Sequence, residues 1–112
     1  MSCREGDATM TDHLTAWADC AESIAENGVA KRAIPGAGAS LVRVVVPAGV
    51  SAPRHSHEHE QFVQVVSGSG VLETEQGSKP FSAGSVFHFP AGAWHAATFE
   101  TETVLIETNL AA

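Results

Sequence analysis

From residue 28 onward the apolar positions fall into short runs rich in β-branched residues, each closed by a turn signal. The run 40–46 stops at Pro47. The run 61–66 ends in Ser67-Gly68-Ser69-Gly70, and 71–75 returns as the second arm of a hairpin before Gln76-Gly77. Further runs cover 79–81, 85–89, 93–99 and 103–109. Some seven short strands with turns roughly every 8–12 residues predict a sandwich or barrel. The preceding stretch has another period. Leu14, Trp17, Ala18, Ala21, Ile24 and Ala25 recur at spacings of three and four, which predicts an amphipathic helix over about residues 12–27. Thr11 or Asp12 can cap its start and Gly28 can end it, so the helix should lie across the barrel or against a partner chain, anchored by Trp17. Residues 1–10 show no period and are expected to be disordered, with Met10 an alternative start.

A length of 112 residues fits one domain, taken as 11–112 with the barrel over about 29–110. Hydrophobic residues at 44% and charged ones at 17% are ordinary for a globular chain. The formal net charge of −7, with six Lys and Arg in all, argues against nucleic acid, which needs clustered cations to neutralise phosphates. No apolar run approaches the ~18–20 residues of a membrane span, and the polar start lacks the apolar core of a secretory signal. These features predict a cytoplasmic protein, in which Cys3 and Cys20 are expected to be free thiols.

The chemistry concentrates at His55, His57, His59 and Gln61, with His95 downstream. Every second residue from 55 to 61 carries a group able to bind a metal. On an extended strand such residues share a face, so the imidazoles of His55 and His57 should face the barrel interior, roughly 7 Å apart at the backbone. Around them the chain reads Gly49-x5-His55-x-His57-x3-Gln61-x6-Gly68, and later Gly84-x5-Pro90-x-Gly92-x2-His95.

These segments resemble, spacing for spacing, the two motifs of the cupin superfamily, G-x5-H-x-H-x3-4-E-x6-G and G-x5-P-x-G-x2-H-x3-N. The resemblance covers about half the chain, residues 49–99, and implies an all-β fold, a cupin-type jelly-roll β-barrel, here with a short N-terminal α-helix. It also implies that His55, His57, Gln61 and His95 are the metal ligands, and it leaves His59 outside the ligand set, as a partner to a ligand, a proton shuttle at the pocket mouth or a solvent-exposed side chain. Two positions depart from the pattern: Gln61 stands where the family has a glutamate ligand, and Phe99 where it has a non-ligating asparagine. Glutamine at that place also occurs in similar small cupins, including sugar-acid enzymes that promote ring opening of unsaturated uronates. Three imidazoles with one oxygen ligand suit a divalent transition metal, Zn, Ni, Fe, Mn or Cu. With a neutral amide in the set the ion keeps its full +2 charge, which favours an anionic oxygen ligand and stronger Lewis acidity while holding the metal less firmly.

Elsewhere Glu58 and Glu60 read as solvated, His88 as a hydrogen-bonded structural residue, and His13 as surface. Arg43 is the basic residue inside a β-branched strand, and either faces the pocket as a carboxylate binder or points to solvent. The functional expectation is a metalloenzyme acting on a small oxygen-rich molecule, with His59 or a bound hydroxide moving the proton. Two chemistries fit: dioxygenase cleavage of an enol or diketone, and isomerase, lyase or ring-opening chemistry on a sugar acid. Gln61 favours the second. The alternative is a non-catalytic cupin that binds or senses a small molecule. Exposed strand edges and an apolar helix face on so small a chain predict a homodimer.

Overall fold

The structure, a computed structural model, describes residues 13–111. The segment 1–10, the Met10 start and Cys3 lie outside them. Among the described residues, ten strands form two antiparallel sheets: β1 Glu22–Ile24, β2 Ala30–Ile34, β3 Ala39–Val46, β4 Ser51–His55, β5 Gln61–Ser67, β6 Ser69–Thr74, β7 Gly77–Ser82, β8 Val86–Phe89, β9 His95–Phe99 and β10 Thr103–Leu110. The six-stranded sheet runs β1-β2-β3-β10-β5-β8 and the four-stranded one β4-β9-β6-β7. This is the expected jelly-roll.

Side-chain alternation sets the core. Val44 and Val46 of β3, Val63 and Val65 of β5 and Leu105 of β10 face inward from the larger sheet. Phe81, Phe87, Phe89 and Phe99 complete the core, and Phe81 meets Phe87 and Phe99 edge-on with ring centres 5.2 and 5.7 Å apart. Gly68 joins β5 to β6 at φ +99°, with its α-carbon packed against Thr103, so both the left-handed backbone and the close approach demand glycine there.

The predicted helix over 12–27 does not form. Its described part holds one 3-10 turn, Trp17–Asp19, and then strand β1. Leu14 and Ile24, two members of the expected apolar stripe, are 74% and 67% exposed. The segment instead pairs with β2 in the register Glu22↔Arg32 to Ile24↔Ala30, around a turn closed by Gly28. Arg32 fixes the alternative: Nη1 donates to the carbonyls of Trp17, Ala18 and Cys20 at 2.9, 3.3 and 2.9 Å, and Nη2 to Glu22 at 3.3 Å. An isolated helix of this length is marginal, and tertiary hydrogen bonds outweigh its propensity. The expectation for Cys20 is also corrected, since it is 3% exposed and disulfide-bonded rather than a free thiol. No helix among the described residues is long and apolar enough to cross a membrane.

Candidate metal centre

The histidines assemble where β4 and β9 meet. His55 is the last residue of β4 and is paired across the ladder with His95, the first of β9, just after a register shift in β4. His57 follows two residues later in the loop between β4 and β5, not on the strand as the spacing predicts. Its orientation comes from a second loop: the Gly92 amide donates to the His57 carbonyl at 2.7 Å, tying the histidine loop to the turn before β9. The Gly92 φ of +81° suits that turn. Imidazole centres lie 5.1 Å apart for His55–His57, 4.2 Å for His55–His95 and 5.4 Å for His57–His95. One donor atom from each of the three falls within 4.8 Å of the others.

Neighbouring groups hold these rings in place. His55 Nδ1 lies 2.7 Å from the Pro53 carbonyl, which can only accept, so Nδ1 is a donor and Nε2 is the nitrogen left to face a metal. His95 stacks on Phe89 with ring centres 3.8 Å apart and planes 2° from parallel. Gln61 opens β5, is 4% exposed, and donates from Nε2 to Asn109 Oδ1 at 2.8 Å. All four expected ligands border one cavity of about 300 Å³ between the sheets, with walls such as Val44, Val63, Phe87 and Leu105.

His59 stands apart from this group. Its ring stacks on His57 at 5.0 Å, its Nε2 lies 3.2 Å from Asn109 Oδ1, and it does not line the cavity. Arg43 does not line it either. Val44 beside it faces the cavity, so the strand period of 2 turns Arg43 to the outer face, across the ladder from Arg32 and Ile106. The carboxylate-binding role for Arg43 is thereby corrected. The cavity's basic residue is Lys31 on β2, and it carries a carboxyl as well, Glu107 on β10. Glu107 and Asn109 share the parity of Leu105, which points inward only once the barrel has closed. Lys31 gave no signal in the sequence, because the run 30–34 shows no strand pattern. His88, read as structural, pairs with Glu60 at 2.6 Å and stacks on Phe62 at the exposed surface.

A family model described as the cupin domain matches residues 42–108. The chain belongs to the cupin family. No curated protein matches the sequence. Among solved structures, an RmlC-like cupin from Shewanella frigidimarina is 22% identical with a TM-score of 0.83, over 91% of this chain and 93% of that one. KdgF from Halomonas sp. is 23% identical with a TM-score of 0.72, over 82% of this chain and 89% of that one. Oxalate decarboxylase from Bacillus subtilis, which has Mn(II) centres, is 18% identical with a TM-score of 0.73, over 90% of this chain and 31% of that one. At these identities the likeness is one of fold.

The donor set of this cupin suits a divalent ion. Burial, and then the neighbouring His55, lower the His95 pKa to about 4. Burial also lowers that of His57, helped by His55, His59 and Lys31. Both rings are therefore neutral at pH 7 with lone pairs available, as a metal ligand must be. His95 Nδ1 is buried without a hydrogen-bond partner among the described residues, a cost that a polar or metal partner removes. Glu107 moves the other way. Burial raises its pKa, partly offset by Lys31, His55 and a hydrogen bond from Asn109.

Proposed function

We propose that this cupin is a metalloenzyme that acts on a small anionic or enolisable oxygen-rich molecule by isomerase or lyase-type chemistry. One observation carries the reading: three imidazoles with donors within 4.8 Å of one another open, with Gln61, onto a cavity that also presents Lys31 and Glu107. His55, His57, His95 and the Gln61 carbonyl oxygen would hold a divalent ion. When bound, the ion supplies Lewis acidity that stabilises an enolate or alkoxide oxygen.

The remaining work falls to the chain. The Lys31 ammonium draws an anionic group into the cavity, and the apolar walls exclude water, which strengthens that attraction. Glu107, its pKa raised by burial, can hold or release a proton inside the cavity. It suits this role better than His59, which lies outside the lining. The neutral Gln61 amide leaves the ion's charge uncancelled and favours this non-redox branch over dioxygenase chemistry.

The test is turnover of sugar acids, hydroxy acids and enols by metal-loaded protein, with oxygen uptake followed in parallel. Product without oxygen uptake supports the proposal. Oxygen uptake moves the protein to the dioxygenase branch, and tight binding with no turnover of any candidate makes it a binding or sensing cupin. The outer face of the six-stranded sheet exposes Leu41, Phe62, Val66 and Val86 at 39%, 38%, 56% and 64%. A second copy of the chain is proposed to cover that face, making a homodimer. Sedimentation equilibrium tests this, with Val86→Glu expected to shift the protein towards monomer.

A further inference from the structure

The proposed site asks a carboxamide to act as a ligand, and only its oxygen can. An amide turned the wrong way presents an NH2 group to the ion, with no lone pair to give. Something must therefore fix which end of Gln61 faces the imidazoles. The neighbour in position is Asn109, directly across the ladder between β5 and β10. Its Oδ1 accepts from Gln61 Nε2 at 2.8 Å and lies 3.2 Å from His59 Nε2.

The polarity of these contacts is set at Asn109 Oδ1. Asn109 Oδ1 is an acceptor that faces both Gln61 Nε2 at 2.8 Å and His59 Nε2 at 3.2 Å. Gln61 must then donate from Nε2, which leaves Oε1 as its free acceptor. We infer that Asn109 is a positioning residue for the metal site, holding Gln61 with its carbonyl oxygen towards His55, His57 and His95. His59 acts in the same network as the second donor that keeps Oδ1 facing this side. This gives His59 and Asn109 a joint purpose that the ligand motif does not contain. The inference rests on the metal site proposed above.

The test uses cobalt(II) alone, titrated into metal-free protein and followed by visible absorption. The variants are Asn109→Leu, which removes the acceptor, and Asn109→Asp, which keeps it. Asn109→Leu should bind cobalt about 10–100-fold more weakly, with an altered ligand-field spectrum, because the oxygen ligand is lost or misplaced. Asn109→Asp should restore wild-type affinity and spectrum, or bind more tightly. Should Asn109→Leu lose the circular dichroism of the folded protein, Asn109→Ala takes its place and the same outcomes apply. Wild-type affinity and spectrum in the acceptor-free variant would overturn the inference, as would equal losses in Asn109→Asp. Failure of the wild-type protein to bind cobalt would overturn the metal site itself, a result distinguishable from either.

Discussion

Replacing Gln61 by glutamate separates the two roles of this side chain. In the wild type Gln61 is 4% exposed and its Nε2 donates to Asn109 Oδ1 at 2.8 Å. In Gln61→Glu an oxygen stands where that nitrogen was, and two acceptors face each other. Asn109 can turn its amide over, but it then loses the contact of its Oδ1 with His59 Nε2. Either way a buried polar group is left without a good partner, which costs about 2 kcal/mol. For a domain of this size that lowers the melting temperature of the metal-free protein by roughly 8–16 °C. With metal the sign reverses. The carboxylate cancels one unit of the ion's charge, so the variant should bind zinc at least about tenfold more tightly, a gain of ~1.4 kcal/mol. It should also bind anionic ligands more weakly. Differential scanning fluorimetry with chelator and with zinc, backed by calorimetric titration, reads both effects. An unchanged melting temperature without metal, together with unchanged zinc affinity, would refute the placement of Gln61 in the ligand set and beside Asn109.

Two further outcomes follow from the titrating groups of the cavity. The folded-state pKa of His95 is lowered from 6.5 to about 4, so the folded protein binds fewer protons than the unfolded chain in that window. Stability of the metal-free protein should therefore fall as pH drops from 6.5 to about 4, by at most ~3 kcal/mol from this group, and His95→Gln should lose that part of the slope in urea titrations at successive pH values. Glu107 is shifted upward, so its ionisation opposes folding as pH rises through its raised pKa. Glu107→Gln should thus be more stable than wild type at neutral and higher pH, retain metal, and lose turnover of any substrate found. Loss of metal in that variant would show that Glu107 serves the ligands rather than the proton.

Much of the fold was legible because alternation and turn residues act locally. The runs 40–46, 61–66, 71–75, 79–81, 85–89, 93–99 and 103–109 each overlap an observed strand, although 61–66 and 71–75 lie in different sheets rather than in the expected hairpin. What escaped depends on distant partners. β1 lies inside a helical period and becomes a strand through β2 and the contacts of Arg32. β4 reads Ser-Ala-Pro-Arg-His, mostly exposed, so no apolar alternation marks it. The histidines were legible as a cluster because Gly49, Gly68, Pro90 and Gly92 frame them, although His57 is placed by a loop rather than a strand. Arg43 and Glu107 show the limit. β3 and β10 are apolar on both faces, so the period alone does not tell which face meets the cavity. Only the pairing of β3 with β2 and β10 turns Arg43 outward, and only the closed barrel turns Glu107 inward.

The central claim is that His55, His57 and His95, with Gln61, hold a divalent ion. It is tested most directly by elemental analysis of purified protein supplemented with Zn, Ni, Fe, Mn or Cu, set beside His57→Ala treated identically. Near-stoichiometric metal in the wild type and its loss from His57→Ala is the predicted result. Substoichiometric metal in both, whichever ion is supplied, would contradict it.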